Sequence, residues 1–244
     1  MHLDFFMRSP YGLEIIEDCL TCPFREERLF CNLSPPAVKK LSSITSTAAY
    51  PKGAILFVEG QAPRGVFIIC NGRVKLSASS AEGKTLILKV AEPGEVLGLS
   101  ATISGKPYML AAEVQEPAQA NFIARADFLD FLLEHGEAAL RVAQLLSDNY
   151  QSALEEIRTI GLSRSAAEKL AKFLLDSSAG QAQKAGEIRL KLTFTHEEIA
   201  EMIGTSRETV TRLFADFKKR QLVQVKGSTL VIRKKAELES MVGS

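Results

Sequence analysis

Residues 195–223, THEEIAEMIGTSRETVTRLFADFKKRQLV, read as two short helices joined at a glycine. Thr195 and Glu198 have the Ser/Thr-x-x-Glu spacing of a capping box, in which each side chain satisfies a backbone N–H that the helix start leaves unpaired. Ile199, Ala200, Met202 and Ile203 supply an apolar face, and Gly204 ends it. Thr205 or Ser206 then caps a second helix in which Val210, Leu213, Phe214 and Phe217 recur at helical spacing and face a core. The other face carries Ser206, Arg207, Glu208, Thr209, Thr211 and Arg212. Such side chains read base edges in a major groove, since an Arg fork matches guanine O6 and N7 and a carboxylate accepts from the cytosine amino group. Lys218, Lys219 and Arg220 follow where phosphates are expected. Residues 222–225 and 229–232 flank Lys226-Gly227-Ser228 and read as a β-hairpin wing. The plain alternative is an amphipathic helix pair with a solvated charged face. The glycine turn, the basic follow-on and the wing together favour DNA.

The phrase SRETVTRLFADFKKRQLV, with the helix before it and KGSTLVI after it, resembles the winged helix-turn-helix of Crp/Fnr-family bacterial transcription regulators. The resemblance implies that Arg207, Glu208 and Arg212 contact bases, with Ser206 and Thr209 as nearby phosphate or base contacts. Lys219 is assigned to phosphate by its charge and place. A match at all three base-reading positions to the cyclic-AMP-receptor branch implies a TGTGA-like half-site rather than the TTGAT-like one of the Fnr branch. The implied partners are double-stranded DNA, a second copy of the chain and RNA polymerase.

Charge is distributed accordingly. From residue 161 onward there are 15 Lys and Arg against 10 Asp and Glu, leaving 15 against 19 in the remainder. The basic part is the one expected to meet phosphate. At 244 residues and 46% apolar content the chain has material for two modest cores. MHLDFFMRSPYG is too short and interrupted for a signal peptide or a membrane span, so a cytoplasmic location is expected. Four Cys without an export signal argue against a disulfide framework.

Between residues 50 and 126 the texture is β-rich, with runs at 54–58, 65–70, 73–77, 85–90, 111–114 and 118–123 punctuated by glycines. Many short strands with evenly spaced turns predict a sandwich or jelly roll. PKGAILFVEGQAPRGVFIICNGRVKL and PGEVLGLSA resemble the cyclic-nucleotide-binding roll of the same family. The expected fold class is therefore α+β, with a segment at 1–33, a jelly-roll sensor at 34–135, a dimerisation helix at 136–160 and a winged helix-turn-helix at 161–244.

Within the roll, the family comparison argues against cyclic AMP in the usual mode. Leu99 stands where cyclic-AMP receptors carry the ribose-binding Glu, and Tyr108-Met109 stand where they carry the phosphate-holding Arg-Ser pair. No Arg lies between Arg73 and Arg125, and a buried phosphate without a guanidinium would be uncompensated.

Cys19 and Cys22 form a Cys-x-x-Cys, and Cys31 follows after eight intervening residues, ahead of a helix capped by Ser34 with Pro35 in its first turn. Thiolates are the natural ligands of an iron–sulfur cluster. The arrangement resembles the amino-terminal cysteine cluster of Fnr-type oxygen sensors and implies a 4Fe–4S cluster, although the interval before Cys31 is longer. The fourth cysteine of that family falls at Asn121. Cys70, Asp18 and Glu27 are alternative fourth ligands, and a buried core position for Cys70 is equally consistent with VFIIC. Zinc, a thiol–disulfide switch and unliganded structural thiols stay open as readings. A non-cyclic-AMP small ligand is a further one. Haem is another, but His2, His135 and His196 form no visible ligand set.

Residues 137–159 predict a long helix with Val142, Leu146, Tyr150, Ala153, Ile157 and Ile160 in a stripe that wants a partner. The first turns fit the chain's own roll, and the remainder fits a symmetric dimer. A hinge is expected at 161–163, with Ser163 capping a helix at 164–176 ahead of a strand at 188–192. An enzyme finds no support: there is no Walker loop, G-x-S-x-G or H-E-x-x-H. A protein-docking helix pair is the other rival.

Overall fold

In the computed structural model, which describes residues 10–80, 83–162, 165–179, 181, 183–184 and 187–242, Met1–Tyr150 and Gln151–Ser244 pack as separate units. In the first, Pro35 opens α1 (Pro35–Ser43), where its missing N–H would be unpaired in any residue. Ser34 holds the N-cap position, but its hydroxyl makes no cap bond and turns to Glu137 instead. Strands β1 (Thr45–Tyr50), β2 (Ile55–Phe57), β3 (Gly65–Ser79), β4 (Thr85–Ala91) and β5 (Val96–Leu97) precede α2 (Leu99–Ser104). Then come β6 (Ala111–Ala124), α3 (Arg125–Glu134) and α4 (Gly136–Leu162). The sheet runs β1-β6-β3-β4, with β2 on β6 and β5 on β3, and every pairing is antiparallel.

Two expected pairs of strands are each a single one. The runs at 65–70 and 73–77 fuse into β3, and those at 111–114 and 118–123 into β6. Gly72 is not a turn between strands but part of an irregularity within one, at φ +79, where the β3–β6 register shifts on both sides of Asn71. A Cβ there would lie 2.2 Å from the Pro117 carbonyl oxygen, so the backbones approach more closely than any other residue permits. Strand β1, TSTAAY, lies outside the runs that the sequence predicts, because it has no buried residue and lacks an apolar alternation.

Alternation along β3 serves two cores. Val66 and Ile68 face outward onto Phe30, Val38, Leu41, Phe128, Phe131 and Val142, while Phe67 and Ile69 face inward onto Leu97, Tyr108, Ala118 and Ala120. The N-terminal segment and α1, α3 and α4 therefore cover one face of the sheet, the face on which Cys19 and Cys31 also pack.

Ser163 and Arg164 lie outside the described residues. Helix α4 runs on through Gly161 and Leu162. In the second unit α5 (Ala166–Ser177) is capped by Ser165, whose hydroxyl accepts from the Glu168 N–H. Then follow β7 (Gln183–Lys184), β8 (Glu187–Lys191), α6 (His196–Ile203), α7 (Arg207–Lys219), β9 (Val223–Lys226), β10 (Thr229–Ile232) and α8 (Lys235–Val242). The sheet order is β7-β8-β10-β9, so the expected wing is the β9–β10 hairpin. Leu170, Leu174, Ile199, Val210, Phe214, Phe217 and Leu230 share its core.

Candidate nucleic-acid interface and thiol cavity

The capping box at α6 is complete: Thr195 Oγ1 accepts from the Glu198 N–H at 3.2 Å, and Glu198 Oε2 accepts from the Thr195 N–H at 2.8 Å. Gly204 ends the helix at φ 64, ψ 49, a left-handed conformation that glycine adopts without a Cβ penalty. Ser206, not Thr205, caps α7 through the Thr209 N–H at 3.2 Å. Buried Val210, Phe214 and Phe217 then fix the rotation of α7 about its axis. That rotation leaves Ser206, Arg207, Glu208, Thr211, Arg212, Lys218 and Lys219 exposed and Thr209 half-buried.

Among the described residues neither the Arg207 nor the Arg212 guanidinium enters an ion pair or hydrogen bond, and Lys219 enters none either, whereas Arg220 is 3.7 Å from the Asp216 carboxylate. Two forks on one exposed face can therefore engage bases without first breaking an internal contact. The Glu208 carboxyl is held below the usual range by a backbone N–H and the Ser206 hydroxyl, so it stays an acceptor.

His196, part of the DNA-binding module by its place in the sequence, packs onto α7. Its ring stacks on Phe214 with centroids 4.9 Å apart and planes 5° from parallel, and Nδ1 lies 2.9 Å from Thr211 Oγ1. Burial, then the charges of Lys218 and Arg207, push its pKa below the ordinary value. The other histidine described, His135, packs against Phe131. His2 lies outside the described residues.

In the roll, Tyr108 is buried and stacks on Phe57 with centroids 4.1 Å apart. Its hydroxyl donates to the Gly65 carbonyl at 2.8 Å and accepts from the Arg64 N–H at 3.2 Å. The place that the resemblance gives to a phosphate-holding Arg is thus filled by a side chain packed into the roll. Elsewhere on the roll, an open, largely apolar groove of about 410 Å³ runs past Tyr50, Phe67 and Phe122, with Arg64 as its cation.

All four cysteines line one cavity of about 20 Å³, with Arg25, Arg28 and Asn121 beside them. Among the described residues no carboxylate lines it. Asp18 is engaged instead by the Leu20 N–H at 2.9 Å and the Ser42 hydroxyl at 3.2 Å, and Glu27 is exposed. Asn121 is buried, its Oδ1 accepting from Thr47 Oγ1 at 2.9 Å and its Nδ2 donating to Cys19 Sγ at 3.6 Å. Arg28 stacks on Phe24 and donates to the Cys70 carbonyl at 2.9 Å, fastening the covering segment to β3. Burial pushes the free thiols of Cys31 and Cys70 up to about 12 and raises that of Cys19.

By donor type alone the lining suits an iron–sulfur cluster: four sulfurs, no oxygen anion among the described residues, and two guanidinium groups to offset the negative charge that thiolates bring. A single zinc ion would need sulfurs about 3.8 Å apart around it. Among the described residues no group of three or more Cys, His, Asp or Glu side chains is placed to hold a metal ion of any kind. The cavity has room for roughly one water, so a cluster requires the segment carrying Cys19, Cys22 and Cys31 to stand farther from β3.

Comparison with known proteins agrees with this division. Residues 47–135 match the cyclic nucleotide-binding domain, and residues 168–241 match the Crp-like helix-turn-helix domain. An effector-binding domain and a helix-turn-helix in one chain define a DNA-binding transcription regulator, not an enzyme. The chain belongs to the Crp/Fnr family. Regulatory protein HlyX of Actinobacillus pleuropneumoniae is 28% identical over 225 residues, covering 90% of this chain and 92% of the relative. The CRP-like cAMP-activated global transcriptional regulator of Mycobacterium tuberculosis is 23% identical over 205 residues, covering 84% and 91%. The solved structure of FixK2 from Bradyrhizobium japonicum shares the fold at a TM-score of 0.69 and 22% identity, covering 81% of this chain and 97% of that one. Among the described residues no helix is long and apolar enough to cross a membrane.

Proposed function

We propose that the protein is a cytoplasmic homodimer that reads a pseudo-palindromic operator with TGTGA-like half-sites, under control of an iron–sulfur cluster held at the thiol cavity. The observation that carries the DNA reading is the exposure of Arg207 and Arg212 on α7, with neither fork paired among the described residues. Arg207, Glu208 and Arg212 are assigned to base edges, and Ser206, Thr209 and Lys219 to the adjoining backbone. RNA polymerase is the partner expected at the promoter.

Dimerisation is supported by α4. Val142 is buried against the roll, but Tyr150, Leu154 and Ile157 farther along are exposed apolar side chains. A second copy covering them would set two α7 helices about 34 Å apart, one turn of duplex.

For the signal, the donor set at the cavity supports a cluster, which when bound would supply sensitivity to oxidants. The chain's own residues do the remainder: Cys31 leads through Ser34 to Glu137 at the start of α4, so a change in the thiol segment biases the packing of the helix that joins two copies. Buried Tyr108 supports the reading that cyclic AMP in the usual mode is not the effector.

A gel shift at fixed salt tests the assignment. A duplex with two TGTGA half-sites should be retained in preference to a scrambled duplex, and equal retention of both would overturn the operator reading. Melting curves with and without cyclic AMP should coincide.

A further inference from the structure

His196, the first residue of α6, rests its ring flat on Phe214 of α7, with centroids 4.9 Å apart and planes 5° from parallel, so one face of the imidazole is closed. Its Nδ1 lies 2.9 Å from Thr211 Oγ1, and that oxygen lies 3.0 Å from the Arg207 carbonyl. A carbonyl only accepts, so the single hydroxyl proton of Thr211 points to Arg207, and Nδ1 carries the hydrogen that reaches Thr211. The neutral ring therefore has its lone pair on Nε2, which has no hydrogen-bond partner among the described residues.

Arg207, Thr211, Phe214 and Lys218 recur at three- and four-residue steps, so the ring lies along one stripe of α7, beside the exposed face that carries Arg207 and Arg212. Lys218 and Arg207 are the charged groups that act on it. Its own helix brings Glu197, which is exposed, and Glu198, whose carboxylate is taken up by the Thr195 N–H and hydroxyl. Helix α5 also packs on α6, and among the described residues none of its charged side chains acts on the ring. Phosphate oxygens, which flank a helix lying in the major groove, can only accept hydrogen bonds. A lone pair at Nε2 offers them nothing, whereas a proton there supplies both a donor and a charge.

We infer that His196 binds a backbone phosphate of the operator through Nε2 as the imidazolium, so that each copy of the chain takes up one proton as it docks. This rests on the DNA reading above and not on the thiol cavity. The proton passes from solvent to Nε2, and the bond from Nδ1 to Thr211 and the stack on Phe214 survive it, so α7 need not move. In the free protein burial, then the cations Lys218 and Arg207, keep the ring neutral at pH 7. The duplex reverses the balance, because phosphates engage those cations and one of them stands against Nε2. Operator affinity therefore falls as pH rises between the free and the bound midpoints of the ring.

The test uses the full chain and a duplex with two TGTGA half-sites. Calorimetric titration in buffers of different ionisation enthalpy should show uptake of up to about one proton per copy, and affinity should fall by up to roughly tenfold per copy for each unit rise in pH within that window. His196→Gln keeps a neutral donor and should bind without proton uptake. His196→Arg is charged throughout and should bind with the pH slope removed. The unaltered chain supplies a readout that needs no variant to fold: the NMR midpoint of the ring should move up when duplex is added. Replacing backbone phosphates one at a time by uncharged methylphosphonate should abolish that move at one position in each half-site. A midpoint that stays in place on binding, or equal proton uptake in His196→Gln, would overturn the inference and leave the operator reading standing. A rise insensitive to every single methylphosphonate would assign it to the general field of the duplex and overturn the contact. Failure to retain any duplex would overturn the DNA reading and this inference together.

Discussion

Ser34 turns both of its donors, the backbone N–H at 3.1 Å and the hydroxyl, onto the carboxylate of Glu137 across 103 positions of sequence. The contact joins the segment just after Cys31 to the first turn of α4. Glu137→Ala should leave the iron content unchanged and diminish the difference in operator affinity between anaerobic and air-exposed protein. An air response of full size in that variant would show that the signal travels by another route.

The same carboxylate carries a pH dependence. Hydrogen bonds from the Ser34 hydroxyl and N–H hold Glu137 below its usual value of 4.5. Its contribution to stability is therefore present above that value and is lost as pH falls from there through the folded-state pKa. Glu137→Gln should flatten the decline of melting temperature over this acidic range, which scanning calorimetry at successive pH values would measure.

On α7, Arg207→Ala and Arg212→Ala should each cost about 1 to 3 kcal/mol of operator affinity and relax base preference at the positions they read. Lys219→Ala should instead weaken all sequences alike and reduce the salt slope by about one. Binding isotherms on operator and random duplex at several salt concentrations separate the two. Unchanged selectivity in Arg207→Ala would remove that residue from the reading set.

His196 is depressed from its usual value of 6.5 by burial and by Lys218 and Arg207. The unfolded chain takes up the proton first, so the C-terminal unit loses stability as pH falls from about 6.5 through the folded-state value, below which this loss is complete. An NMR titration of the ring should give a midpoint under 6.5 in the free protein. A midpoint at or above it would contradict the stacked placement on Phe214.

The exposed apolar side chains of α4 predict a change in assembly. Ile157→Asp should shift the protein toward monomer in sedimentation and lower operator affinity, with the melting of each unit little altered. A variant that stays dimeric and binds normally would place the dimer seam elsewhere.

The DNA-reading module was legible in the chain because its determinants are local. Thr195 and Glu198 meet within one turn, Gly204 needs only its own backbone freedom, and Val210, Phe214 and Phe217 fall on one side of any α-helix. The roll was legible as a class but not in its strand count, since Gly72 looks the same in sequence whether it makes a turn or a close crossing inside a strand. Sequence alone thus determined the helix-turn-helix, its exposed forks and the presence of three clustered thiols. Only the tertiary structure decided that Cys70 joins them, that Tyr108 occupies the interior of the roll and that Ser34 reaches Glu137. Those contacts depend on the register between strands and on which face the N-terminal segment covers, and neither is encoded within the few residues that spacing and periodicity can see.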